Sequence, residues 1–241
     1  MKIVKHIPNT LTSLNLVSGC IAIVMAFKGD LTLATVWIVI GAAFDFSDGF
    51  AARLLNAKSP IGKELDSLTD CVTFGVAPSI MIFQMLNVAT QSVPDGVLKW
   101  IPFLAFFIPV FSALRLAKFN LDERQTTSFI GLPVPANALF WAPATTAVFS
   151  AIPNHEGVFI GITLLLIAIS SYLMVSEIPM FSLKIHSIAW KGNAFRYILV
   201  ICAIVFILVF GLLGVSGTIV LYILLSLFNN RFSKVNCNCH V

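Results

Sequence analysis

The sequence predicts an all-α fold, a polytopic membrane helical bundle, and three observations carry that prediction. Of 241 residues, 58% are hydrophobic and only 11% charged, whereas soluble domains carry about 25% charged residues. Mean hydropathy is +0.95. The apolar runs approach the roughly 20 residues that a helix needs to cross the hydrocarbon core. Stretches such as Ile198 to Gly211 lack the alternation of barrel strands, so the spans are helical.

Apolar runs between polar, Gly and Pro breaks place about eight transmembrane helices over 11–27, 31–53, 63–87, 98–118, 134–151, 157–176, 195–211 and 215–231. The short connections Lys28-Gly29-Asp30 and Phe210 to Ser216 make antiparallel hairpins. With no internal repeat and no long linker, residues 1–241 read as a single domain. The start, Met1-Lys2-Ile3-Val4-Lys5-His6, is followed by a stretch too polar for a signal-peptide core, so it reads as retained, with a short interfacial helix before the first span. Putting both termini in the cytoplasm leaves only Lys28 and Lys99 of the 15 Lys and Arg outside. The resulting basic belt suits anionic lipid headgroups, and nothing suggests nucleic-acid binding.

Two acidic clusters interrupt this apolar chain. One is Asp45-Phe46-Ser47-Asp48-Gly49-Phe50-Ala51-Ala52-Arg53, the other Gly62-Lys63-Glu64-Leu65-Asp66-Ser67-Leu68-Thr69-Asp70. A carboxylate at the centre of a spanning helix costs roughly 2.5–3.5 kcal/mol, so such residues usually have a functional partner. Asp45 and Asp48 lie three apart, Asp66 and Asp70 four apart, so each pair shares a helix face. Two antiparallel helices can then gather four carboxylates around one or two hard cations, Mg²⁺ or Mn²⁺, with Ca²⁺ also able to occupy such a site. Gly49 and Gly62 allow close approach of a ligand or helix, and Arg53 can reach a phosphate. The orientation puts these clusters at cytoplasmic helix ends.

The pattern Asp-x2-Asp-Gly-x2-Ala-Arg-x8-Gly-x3-Asp-x3-Asp is matched by Asp45, Asp48, Gly49, Ala52, Arg53, Gly62, Asp66 and Asp70. In this it resembles the CDP-alcohol phosphotransferases, membrane enzymes of phospholipid synthesis. The resemblance implies a metal pair on the pyrophosphate of a cytidine diphosphate lipid, held by Asp45, Asp48 and Asp66. It implies Asp70 as general base, also able to contact a metal. Gly49, Ala52, Arg53 and Gly62 would then meet the CDP-lipid, with Asn9 and Thr12 lining the nucleotide site; helix N-capping explains either of these last two comparably well.

Further segments resemble the membrane-bound phosphatidylserine synthase branch of that family. They are Pro8 to Gly19, the extension to Phe74-Gly75, Arg115-Leu116-Ala117-Lys118-Phe119-Asn120, Phe129 to Ala136, and Met174-Val175-Ser176. Two helices beyond a six-helix core also fit that branch. The implied acceptor is L-serine, attacking CDP-diacylglycerol to give phosphatidylserine and CMP. Arg115 can supply a fork for the serine carboxylate and Asn120 a neutral contact, while Lys118 and Lys184 can add charge. Lys118 stands where this branch more often has arginine. The family resemblance further implies a homodimer, and the Lys and Arg asymmetry places the protein in the cell (inner) membrane with its active site facing the cytoplasm.

Two other readings compete. The acceptor can be glycerol 3-phosphate or inositol, although a phosphorylated acceptor wants a denser cationic pocket. A cation transporter would also use intramembrane acids, but near the midplane and often with inverted repeats. Trp37, Trp100, Trp141 and Trp190 include expected interfacial anchors. Cys237-Asn238-Cys239-His240 reads as a tail, not as a metal site.

Overall fold

Local capping and packing signals explain how the helices begin and end. In the computed structural model, residues 6–57, 59–91, 97–122, 129–149, 156–180 and 193–238 are described. Lys184, Trp190, Cys239 and His240 lie outside them. Helix α1 (Ile7–Phe27) starts with Pro8 in its first turn, where a missing N–H costs nothing. It is one helix from Ile7, so the residues expected to form a separate interfacial helix are its first turns. Gly29, at φ +80°, turns the chain. Asp30 then caps α2 (Leu31–Leu54) by accepting from the Leu33 N–H at 2.9 Å.

After Asn56, at φ +47°, Ser59 caps α3 (Pro60–Asp70), accepting from the Gly62 N–H at 3.1 Å. These two start signals place the helix three residues before the expected boundary. Helix α3 runs through a π turn, Cys71–Val76, into α4 (Ala77–Thr90), forming one rod. The widened turn ends two residues before Pro78, which cannot donate a backbone hydrogen bond. A 3-10 stretch containing Pro102, Val97–Phe106, leads into α5 (Phe107–Leu121).

Helices α6 (Val134–Val148), α7 (Glu156–Val175), α8 (Ala194–Phe210) and α9 (Leu213–Asn238) complete eight rods among the described residues. One small departure from all-α is an antiparallel pair, β1 (Phe129–Ile130) with β2 (Pro179–Met180). It is pinned by Gly131, whose N–H bonds to the Ile178 carbonyl at 2.9 Å. At φ +75°, a Cβ there would lie 2.5 Å from the Met174 carbonyl and 3.0 Å from that of Ser176. Only glycine lets this loop settle on the end of α7.

Among the described residues, five helical segments are long and apolar enough to cross a membrane: Ile7–Phe27, Leu31–Leu54, Pro60–Thr90, Lys99–Leu121 and Glu156–Val175. Phe195–Phe210 and Leu213–Asn229 are shorter apolar stretches. Helix α6, interrupted by Pro143, has 15 residues, about 22 Å of rise against a core of about 30 Å. Lipid-type exposure is plain on α8, where Val200, Ile201, Ile204 and Leu208 face outward. Trp141 is buried, donating to the Ser170 hydroxyl at 3.2 Å, so it is a core residue and not an interfacial anchor.

Small residues control the packing that positions the site. The buried face of α1 is Pro8, Thr12, Asn15, Ser18, Gly19, Ala22 and Ala26. It lies along α2 and the π turn, as small-residue stripes do in membrane bundles. Thr73 of the π turn wedges between Gly19 and Gly41: a Cβ on either glycine would collide with its side chain. The Thr73 hydroxyl donates to the Asn15 carbonyl at 3.1 Å. Alanines then carry the core outward through Ala34, Ala77, Ala138 and Ala142.

Candidate active site

Helices α2 and α3 meet as the spacing requires. Asp45 and Asp48 sit in the last ten residues of α2, with Asp66 and Asp70 in the second half of α3. One carboxylate oxygen each from Asp45, Asp48 and Asp66 lies within 4.8 Å of the others. Asp45 reaches the side chains of both Asp66 and Asp70, so all four carboxylates belong to one constellation. Asp48 and Asp70 are buried, Asp45 and Asp66 half-buried.

Donors within the protein are few. Thr12 of α1 donates its hydroxyl to Asp48 Oδ2 at 2.6 Å. Asp66 Oδ1 and Asp70 Oδ1 are buried without a partner among the described residues. Buried carboxylate oxygens without donors are rare, because desolvation leaves their charge uncompensated. An all-oxygen set with orphaned lone pairs fits a hard divalent cation.

A cleft of about 460 Å³ opens beside the constellation, lined by Pro8, Asn9, Thr12, Asp48, Gly49, Ala52, Ala57, Ser59, Pro60, Gly62, Lys63 and Asp66. Asn9, Thr12, Gly49, Ala52 and Gly62 are thus brought together with the acids. Neither Asn9 nor Thr12 is an N-cap: that position is His6, and both residues lie inside α1. The glycines differ in role. A Cβ on Gly62 would lie 3.0 Å from Asn9 Oδ1 and from Ser59 Oγ, so Gly62 lets α3 approach α1. A Cβ on Gly49 would meet nothing within 4 Å, so Gly49 keeps space open. Arg53 is exposed and does not line the cleft. Lys63, Ser59 and Ala57 do line it. Lys63 and Ser59 flank Gly62 in the motif region, which was the available sign of their role.

Beyond Asp70 stands Arg115 of α5, 7% exposed and within electrostatic reach of the Asp70 carboxylate. Its guanidinium lies over the Phe119 ring, 5.1 Å from the centroid. Its Nε and Nη2 have no hydrogen-bond partner among the described residues. Buried Tyr222 of α9 is also within electrostatic reach of Arg115, a neighbour that sequence spacing did not reveal. Lys118 donates to the Val175 carbonyl at 3.3 Å. Asn120 is a brace: its side chain donates to Ser67 Oγ at 2.9 Å, and its carbonyl accepts from Lys63 at 3.0 Å. It stands apart from the cavity that Arg115 and Lys118 line.

Similarity to known proteins agrees with this geometry. A CDP-diacylglycerol--serine O-phosphatidyltransferase of Bacillus subtilis (strain 168) is 37% identical over 183 residues, 76% of this chain and 93% of that protein. One of Helicobacter pylori (strain J99 / ATCC 700824) is 31% identical over 205 residues, 83% of this chain and 81% of that protein. One of Mycobacterium tuberculosis (strain ATCC 25618 / H37Rv) is 31% identical over 209 residues, 82% of this chain and 68% of that protein. The family model described as CDP-alcohol phosphatidyltransferase matches residues 5–228. This multi-pass membrane chain therefore belongs to the CDP-alcohol phosphatidyltransferase family.

Proposed function

We propose that this protein transfers the phosphatidyl group of CDP-diacylglycerol to the hydroxyl of L-serine, releasing phosphatidylserine and CMP. The carrying observation is the convergence of Asp45, Asp48, Asp66 and Asp70 beside a cleft that Asp48 and Asp66 line, with Arg115 within electrostatic reach of Asp70. The names of the relatives support serine as the acceptor.

In this reading the cleft takes the CDP moiety, with the open face of Gly49 leaving room for a flat base. Asp45, Asp48 and Asp66, with an oxygen of Asp70 in reach, would hold Mg²⁺ or Mn²⁺. When bound, such ions neutralise phosphate charge during phosphoryl transfer. Lys63 lines the same cleft and adds a cation for a phosphate oxygen. Asp70 takes the proton from the serine hydroxyl as that oxygen attacks the lipid-side phosphorus. Arg115 offers two free N–H groups to the serine carboxylate.

The chain works as a single domain with eight spans, both termini cytoplasmic, and its site open to cytosol and inner leaflet. It acts as a homodimer in the cell membrane. The Lys and Arg asymmetry supports the orientation.

The test is an acceptor panel. Purified protein with CDP-diacylglycerol and a divalent cation releases CMP when L-serine is added, and not with inositol or glycerol 3-phosphate. CMP release with either of those and none with serine refutes the acceptor. Asp70→Asn abolishes turnover while CDP-diacylglycerol still binds; full activity in that variant refutes the base.

A further inference from the structure

Arg115 lines a second, smaller cavity of about 30 Å³, together with Lys118, Asp122, Ile130, Met174, Val175, Ser176 and Glu177. That is room for about two water-sized groups. Its charged walls are balanced, with Arg115 and Lys118 against Asp122 and Glu177. The two unpartnered Arg115 atoms, Nε and Nη2, form the side-on edge of the guanidinium, the edge that grips a carboxylate with two parallel hydrogen bonds. Arg115 is more than nine-tenths buried. A buried cation with an unsatisfied fork is costly unless a ligand anion completes it.

We propose that this cavity is the subsite for the α-amino-acid end of the acceptor, with Glu177 recognising the ammonium group while Arg115 takes the carboxylate. The assignment rests on the serine reading and supplies the ammonium contact that reading lacks. Glu177 is exposed and lies two residues past the end of α7, where an entering solute meets it. The Gly131 loop and the Lys118 bond to Val175 fix the strand of chain that carries it. A phosphorylated acceptor would face two carboxylates here, and a neutral polyol would satisfy neither sign of charge. A zwitterion matches both. Arg115 is also within electrostatic reach of Asp70, so a carboxylate held on its fork leaves the adjoining hydroxymethyl group on the base's side of the site.

The experiment is steady-state CMP release by the full-length protein in mixed micelles with CDP-diacylglycerol and Mn²⁺. The acceptors are L-serine and 3-hydroxypropanoate, which lacks only the ammonium. Losing one charge-assisted hydrogen bond, Glu177→Gln raises KM for L-serine by about tenfold or more. The kcat at saturating serine changes far less, and KM for the donor stays put. The preference for L-serine over 3-hydroxypropanoate falls by the same factor, and Glu177→Asp restores part of it. Unchanged serine KM and unchanged preference in Glu177→Gln overturn the assignment alone. Wild-type protein inert with L-serine but active with another alcohol overturns the serine reading, and this subsite with it. A drop in kcat and donor affinity together, with preference intact, shows a merely structural Glu177 and also overturns it.

Discussion

Thr12 touches no reacting group, yet its hydroxyl bonds to Asp48 at 2.6 Å and orients that carboxylate toward its neighbours. Partners of this kind are worth about 10–100-fold in metal affinity or activity. Thr12→Val therefore raises the Mn²⁺ concentration for half-maximal CMP release by about tenfold or more, with little change in serine KM. The two motif glycines separate structure from binding. Gly62→Ala displaces Ser59 Oγ, 3.0 Å from the new Cβ, from its cap on α3 and lowers the thermal inactivation temperature in detergent. Gly49→Ala leaves that temperature unchanged, because its Cβ meets no protein atom, and raises KM for CDP-diacylglycerol. The motif spacing made both glycines visible in the sequence. It could not say which faced a helix and which faced the cleft, since that depends on how α1 lies across α3.

At the scale of elements, the π turn Cys71–Val76 is the joint that matters. It begins immediately after Asp70 and holds Thr73 between Gly19 and Gly41. Gly19→Ala puts a methyl group onto Thr73 and costs about 1–3 kcal/mol. It also lowers kcat, because the displaced turn carries Asp70 with it, measured by thermal inactivation and CMP release; Thr73→Ser gives no rescue, since the contacts are with Thr73 Oγ1, Cα and Cβ, which serine keeps. Apolar runs and caps revealed where the helices lie: Asp30 and Ser59 start α2 and α3 at sites chosen by their side chains. The π turn was hidden, since Cys71 to Val76 looks like ordinary helix and no local pattern marks the widening, Pro78 signalling only a missing donor. The β1–β2 pair was hidden for the same reason. Its strands lie about 50 residues apart in sequence, too far for any local pattern to join.

The whole molecule concentrates four carboxylates at one end of an apolar bundle, and their mutual repulsion is weakly screened there. A cation that binds this folded cluster and not the unfolded chain stabilises the protein by linkage. Added Mn²⁺ or Mg²⁺ thus raises the inactivation temperature, and a chelator lowers it. In Asp45→Asn/Asp66→Asn protein that response to metal is lost while the fold persists, as fluorescence-detected size exclusion will show. The acidic half of the site was legible because all four residues fall within 26 positions. The other half was legible only in part. Arg115 was a candidate from its segment, but Glu177 comes to it from the loop after α7 and Tyr222 from α9, and no spacing rule announces them.

The division of the chain between its two cavities has a consequence for how acceptor choice can change. All residues lining the larger cleft fall between Pro8 and Asp66, and all those lining the smaller one between Arg115 and Glu177. In the proposed reading, the nucleotide-handling and alcohol-selecting apparatus are therefore successive segments of one polypeptide, meeting where Arg115 comes within electrostatic reach of Asp70. A chimera that keeps the first three rods, through Thr90, and takes its later helices from a family member using another alcohol should inherit the new alcohol and keep the old donor. Evolution could swap substrates here by exchanging the back of the protein.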